Sequence, residues 1–230
     1  MLAIILAAGR GTRLAPLTDT IPKPLITVRG TTLLDHLLRA LPPAVNQIGI
    51  VVKYRHEQIR EHVMREHPHA PIRFIMQEDA LPGTAGALWS AQSLCATSTQ
   101  PFLVLQSDDM FASHDILTLS QHTRAIGVWE SPRPVPPFLN IAQDAHSLLT
   151  AFGPTPQEGT HCIATGAYML EPSIFSEEPY HLPSGELSLP RTLLVWSAHN
   201  PVHVVAMPSW RSVNTPEDLR AVEKIADTKL

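Results

Sequence analysis

Residues 2–7, Leu-Ala-Ile-Ile-Leu-Ala, form an unbroken apolar run that leads directly into a glycine-rich loop, Ala8-Gly9-Arg10-Gly11-Thr12-Arg13. A strand that is apolar on both faces has no solvent side, so it belongs inside a parallel sheet with helices on each face. The rest of the first half repeats that alternation. A helix is expected over 33–41, stopped by Pro42-Pro43, and a strand over 48–52. A helix over 56–66 places Ile59 and Val63 on one face; it is followed by a strand over 72–76, a helix over 83–94 and a strand over 102–105. Strand–helix alternation of this kind predicts an α/β fold.

After Trp129 the pattern changes. Residues 131–137 contain four prolines, and short extended runs near 139–141 and 162–170 sit among loops. This half reads as antiparallel strands and loops laid over one end of the sheet. A helix over 187–197 and a strand over 202–206 follow. A last helix opens with Thr215 as N-cap, Pro216 at the first helical position, and Glu217 and Asp218 at the positive end of its dipole.

Composition narrows the function. Aromatic residues make up 6% of the chain, too few for a platform on which single-stranded nucleic acid would stack. No apolar run is long enough to cross a bilayer. Met1 enters the first apolar run with no charged leader, so a cytoplasmic location is expected. The two cysteines, Cys95 and Cys162, match no metal or redox spacing and read as structural thiols. The net charge is −4, yet residues 1–30 carry Arg10, Arg13, Lys23 and Arg29 against Asp19 alone. A basic opening segment in an acidic chain points to a small anionic ligand rather than a polyanion groove.

The loop after the first strand fits such a ligand. Gly9 and Gly11 allow close backbone approach, so successive N–H groups can cradle phosphate oxygens, and Arg13 can clamp the same oxygens with its fork of donors. Pro22-Lys23-Pro24 holds one lysine between two residues of fixed φ. Ligands of open α/β sheets bind at the carboxyl ends of the strands, where this loop would lie. A dinucleotide fingerprint would need glycine where Leu14 stands, and a P-loop would need Gly-Lys-Ser or Gly-Lys-Thr, which is absent.

Residues 6–14 followed by Pro22-Lys23-Pro24 resemble the signature of the sugar-1-phosphate nucleotidylyltransferases. Residues 77–87 are similar to the base-reading segment of that family, and residues 103–109 to the strand that ends in its metal-binding aspartate. Residues 165–170 and 210–219 are similar to its later sugar-side and C-terminal segments. The resemblance implies a single nucleotidyltransferase domain over 1–230, with a nucleotide-binding half (1–125) and an acceptor-binding half (126–230). The implied fold is a Rossmann-like, mostly parallel sheet flanked by helices, with an antiparallel, loop-rich acceptor side.

The implied reaction joins a nucleoside triphosphate to a sugar 1-phosphate with Mg2+ as cofactor, releasing pyrophosphate. It involves neither nucleic acid nor membrane and is compatible with a homo-oligomer. Arg13, Lys23 and Asp108 would be the catalytic set, with Asp108 as the metal ligand. Leu6, Ala8, Gly9, Gly11, Thr12, Arg13, Gln77, Gly83 and Thr84 would hold the nucleotide, and Gly166 and Glu186 the acceptor. Physical chemistry agrees independently. A phosphomonoester has a second pKa of about 6, so at neutral pH it is already a dianionic nucleophile and needs no Ser-His or Cys-His pair. Because Gln77 offers both an amide donor and an acceptor, uracil or thymine is the expected base.

Two departures from the family pattern stand out. Ser212 occupies the place of a second metal-binding aspartate, and Ala151-Phe152-Gly153-Pro154 stands where a Glu-Lys-Pro is usual. The second departure favours phosphocholine or another small phosphomonoester as acceptor for a cytidylyltransferase. The first favours a nucleotide-sugar-binding regulator without turnover. Of the Asp108-Asp109 pair, one residue is expected to meet metal and the other to point outward or cap the loop. His56, His62, His67 and His69 read as a solvated helix face, and Tyr168 and Trp89 as core or pocket wall.

Overall fold

The computed structural model describes residues 1–95, 98–131, 140–153 and 161–224. In chain order, β1 (Leu2–Ala7) leads into the glycine loop and a short hairpin, β2 (Thr27–Val28) and β3 (Thr31–Thr32). Then come α1 (Leu33–Ala40), β4 (Gln47–Val52), α2 (His56–Glu66), β5 (Ile72–Met76), α3 (Gly83–Ser90) and α4 (Gln92–Cys95). β6 (Phe102–Gln106), β7 (Asp109–Met110), α5 (Ser113–Leu119), β8 (Ala125–Ser131), β9 (Asn140–Gln143), β10 (Leu149–Gly153) and β11 (His161–Leu170) follow. The chain closes with α6 (Leu189–Ser197), β12 (His203–Ala206), β13 (Arg211–Ser212) and α7 (Pro216–Glu223).

The central sheet runs β10-β9-β11-β6-β1-β4-β5, with β8 beside β11 and β12 beside β8. The segment β6-β1-β4-β5 is parallel throughout, with Ile4 opposite both Gly49 and Val104. Alternation along β1 distributes its side chains between two apolar layers. Ile4 and Leu6 pack with Leu88 and Trp196 on one face; Ala3, Ile5 and Ala7 pack with Leu37, Ile59 and Ile116 on the other. A third cluster joins Leu14 and Val28 to Val213 and Val222, fastening the C-terminal segment beside the glycine loop.

The second half extends the sheet rather than lying over its end, which corrects the expectation from sequence. The cause is β11. It pairs antiparallel with β6 through Ala167–Leu170, with β9 through Cys162 and Ile163, and with β8 across a register shift between Ala164 and Tyr168. One long strand therefore docks the later antiparallel strands onto the parallel set. The expected helix over 83–94 is broken at Ala91, where Ser90 Oγ donates back to Gly86 O and competes with the helical ladder. Residues 132–139 and 154–160, which hold most of the proline-rich run and Pro154, lie outside the described residues. No helix among the described residues is long and apolar enough to cross a membrane.

A further expectation is corrected. His62 and His67 do not form part of a solvated face, because both ring Nε2 atoms meet the Asp35 carboxylate, at 3.0 and 2.7 Å, and tie α2 to α1. Burial works to raise the Asp35 carboxyl, but hydrogen bonds from His67, Thr32 and His62 outweigh it and hold the group at about 2. Cys95 is buried and its thiol is pushed up to about 12 by burial, as suits an inert core cysteine.

Candidate active site

A cavity of about 570 Å3 opens at the carboxyl ends of β1, β4, β5 and β6. Every site residue expected from sequence lines it except Gly166. A second cavity of about 230 Å3 lies beside it, lined by Gly166, Asp109, Tyr168 and Trp210 among others. The two cavities share a wall made of Arg13, Gln106, Asp108, Pro190 and Asn214.

That wall is assembled by two short pieces of chain. β6 ends at Gln106 and a turn carries Ser107 and Asp108, after which β7 pairs antiparallel with β13, setting Asp109 opposite Ser212. Val213 N donates to Asp108 O at 3.1 Å and closes the junction. Thr215 caps α7 in a capping box with Asp218, whose carboxylate also accepts from Asn214 N at 2.9 Å. With the cap supplied by Thr215, the Asn214 side chain is left to point into the site.

Asn214 Oδ1 accepts from Arg13 Nη2 and from Lys23 Nζ, both at 2.7 Å. Lys23 Nζ also donates to Asp108 Oδ2 at 2.7 Å, and Lys23 is only 6% exposed. Asn214 Nδ2 donates to Ser212 Oγ, which fixes the amide with its oxygen toward the two cations. Ser212 therefore orients Asn214. Neither Asn214 nor this role was read from sequence; the available signal was a polar residue beside a helix cap that did not need it.

Asp109 is not the outward carboxylate that strand alternation predicts. The turn at 107–108 reorients the chain, and Asp109 is 4% exposed, facing the Trp210 and Ser212 side chains. Burial, then the neighbouring Asp108 charge, push its carboxyl well above the usual range, against the pull of Lys23.

At the far end of the larger cavity, Gln77 Nε2 donates to Leu81 O at 2.7 Å and to Gly83 O at 3.2 Å. Both partners are acceptors, so the amide nitrogen must face them and Oε1 remains for a ligand. Gln77 thus offers an acceptor alone, not the donor–acceptor pair expected from its residue type. Gly83 has φ of +86°, and a Cβ there would lie 2.5 Å from Leu187 O. The close approach lets Leu187 N donate to Pro82 O and Ala85 N donate to Leu187 O, both at 2.9 Å. Glu186 consequently sits beside Gly83 in the larger cavity, while Gly166 lines the smaller. Lys53, also on the larger cavity wall, pairs with Asp79 at 3.0 Å and was not singled out from sequence.

Comparison with known proteins agrees with this architecture. The sequence model of the nucleotidyl transferase family matches residues 2–226. The bifunctional protein GlmU of Methanococcus maripaludis (strain C5) is 31% identical over 222 residues, covering 94% of this chain and 52% of that protein. The chain spans about half the length of such curated relatives. The mannose-1-phosphate guanylyltransferase catalytic subunit beta of Drosophila melanogaster is 41% identical over 108 residues, covering 46% of this chain and 29% of that protein. The structure of the inositol-1-phosphate CTP transferase from T. maritima shares the fold, with a TM-score of 0.76 at 16% identity over 97% of this chain and 96% of that one.

Proposed function

Because the chain belongs to the nucleotidyl transferase family, we propose that it joins a nucleoside triphosphate to a sugar 1-phosphate, giving a nucleotide-activated sugar and pyrophosphate. The observation that carries this reading is the shared wall. Two cavities of about 570 and 230 Å3 meet at Arg13, Asp108 and Asn214, where a bound triphosphate and an acceptor phosphate would come together.

In this reading the acceptor phosphate is the nucleophile. Its oxygen forms a bond to the α-phosphorus as the bond from that phosphorus to the bridging oxygen breaks, and pyrophosphate leaves with the electron pair. The charge crowded at the junction is the main obstacle, and fixed cations lower it most effectively where water is excluded. Lys23, held by Asp108 and Asn214 and nearly buried, would stabilise the α-phosphate oxygens. Arg13, tethered by the same amide oxygen, would hold the triphosphate, and Gln77 Oε1 would accept from an N–H of the base.

Among the described residues no group of three or more His, Cys, Asp or Glu is placed to hold a metal. Lys23 engages one oxygen of the Asp108 carboxylate, Oδ2 at 2.7 Å, and the second carboxylate oxygen is a ligand suited to a hard cation. One such carboxylate beside bound phosphates fits Mg2+, which when bound would offset the charge on the reacting phosphates. Asp108 would hold it through that second oxygen, together with substrate oxygens, while Asn214 Oδ1 stays with Arg13 and Lys23.

The test is pyrophosphate release from five nucleoside triphosphates, each paired with a panel of sugar 1-phosphates and with phosphocholine. Release that needs one triphosphate and one sugar 1-phosphate together supports the reading. A second acceptor class is favoured by one observation: Phe152 is buried in β10, and none of residues 151–153 lines either cavity. Release with phosphocholine but with no sugar phosphate would select that alternative, and binding without release under any pairing would select the regulator.

A further inference from the structure

The glycine loop is braced from behind by residues outside both cavities. Thr18, 2% exposed, donates from Oγ1 to Gly11 O at 2.9 Å, and Leu14 N donates to the same oxygen at 2.9 Å. Tyr54, at the corner between β4 and α2, donates from Oη to Thr18 O at 3.0 Å. Tyr54 Oη in turn accepts from Arg55 Nε at 3.0 Å, while the Arg10 guanidinium lies 5.1 Å from the Tyr54 ring centroid. Gly11 has φ of +65°, and a Cβ there would sit 3.0 Å from Lys23 Cβ and 3.1 Å from Thr18 Cγ2.

A trans peptide points its C=O and the following N–H in opposite directions. Two donors pin the Gly11 carbonyl on the Thr18 side, so the Thr12 N–H faces the other way, on the side of the larger cavity that Gly9, Gly11 and Thr12 line. If that peptide turned over, a carbonyl oxygen would replace a donor against an anion.

We propose that Tyr54 and Thr18 act in series as positioning residues. They hold the Gly11–Thr12 peptide so that the Thr12 N–H donates to a phosphate of the bound nucleotide. The proposal rests on the nucleotidyltransferase reading, through its assignment of this loop to the triphosphate. Tyr54 touches no reacting atom; it acts through Thr18, and Thr18 acts through Gly11.

The probe is inorganic tripolyphosphate, which removes base and acceptor from the measurement. Its affinity is measured by titration calorimetry on the whole chain, alongside thermal midpoints. Tyr54→Phe and Thr18→Val are each expected to weaken binding about 3- to 10-fold, the range for one neutral hydrogen bond. The double variant should lose no more than the larger single loss, because the two act in series. Thr18→Ser, which keeps the hydroxyl, should restore binding. With a triphosphate substrate, the loss should appear in KM more than in kcat.

Unchanged tripolyphosphate affinity in both single variants, while Arg13→Ala binds poorly, overturns the relay and leaves the functional reading standing. A double variant whose loss equals the product of the single losses overturns the series arrangement. Unchanged affinity in Arg13→Ala as well overturns the assignment of the loop to phosphate, and the proposed function with it.

Discussion

Lys23 and Asn214, separated by 191 residues of chain, meet at 2.7 Å through the lysine ammonium and the amide oxygen. The same oxygen holds Arg13, so one side chain from the C-terminal segment sets two cations of the N-terminal loop. Replacing Asn214 by Ala removes an acceptor from both and leaves the nearly buried ammonium with Asp108 alone. Hydrogen bonds to charged groups contribute about 1.5–3 kcal/mol each. Asn214→Ala should therefore lower pyrophosphate release by at least about 10²-fold in kcat/KM, with helix content unchanged by circular dichroism. Near-wild-type turnover would show that the amide is not organising the cations.

Arg13→Ala tests the direct contact. Arg13 lies exposed in the 3-10 turn Thr12–Leu14 and packs no core, so its loss should leave the fold intact by circular dichroism. Losing one charge-assisted donor set at a reacting phosphate costs about 10²–10³ in rate. Steady-state kinetics with saturating acceptor would measure it, and a change below about threefold would remove Arg13 from the site.

The parallel half of this fold is legible in the sequence because its signals are local. An apolar strand, a glycine turn and a capped helix each announce themselves within a few residues, and β1, α2 and α7 lie where periodicity and capping put them. The larger cavity was legible for the same reason, since one end of it is the contiguous glycine loop. What escaped depends on long-range pairing. Asp109 looks like the outward partner of Asp108 until β13 is seen to pair with β7. Asn214 looks like a cap neighbour until α7 packs beside Leu14. His62 and His67 look solvated until α1 brings Asp35 within reach. Gln77 shows the same limit at smaller scale: residue type gives its donors and acceptor, but only the Leu81 and Gly83 carbonyls decide which remains for a ligand.

Ser212 gives a test of the proposed Mg2+ site. Its antiparallel partner is Asp109, already disfavoured as an anion by burial and by Asp108. Ser212→Asp sets two carboxyls directly opposite, which costs up to about 1 kcal/mol where like charges face across a ribbon. In a chain of this size that corresponds to a fall of about 2–4 °C in thermal midpoint without divalent cation. A cation that binds only the folded state offsets the cost by mass action. The midpoint of Ser212→Asp should thus rise more steeply with added Mg2+ than that of the wild type, and the Mg2+ needed for half-maximal rate should fall. Identical Mg2+ dependence in both proteins would place residue 212 away from the cation.

The Asp35 node predicts a pH dependence that is independent of the active site. Its carboxyl is lowered from 3.8 to about 2 in the folded chain, despite burial, by hydrogen bonds from His67, Thr32 and His62. A carboxyl with a folded value below its unfolded one lends stability at pH values above the unfolded value. That contribution is lost as pH falls through the folded value. The window here runs from about pH 4 down to about pH 2. At about 1.36 kcal/mol per pKa unit, the contribution is at most about 2.5 kcal/mol at neutral pH, reduced by the solvent screening that reaches the carboxylate. Urea denaturation at pH 7, 4 and 2.5 would measure it. Wild type should lose roughly half of this increment between pH 4 and 2.5 beyond whatever Asp35→Asn loses, while Asp35→Asn should already be less stable by a comparable amount at pH 7. Equal losses in the two proteins across that window would mean that the two histidines lie near Asp35 without stabilising its charge.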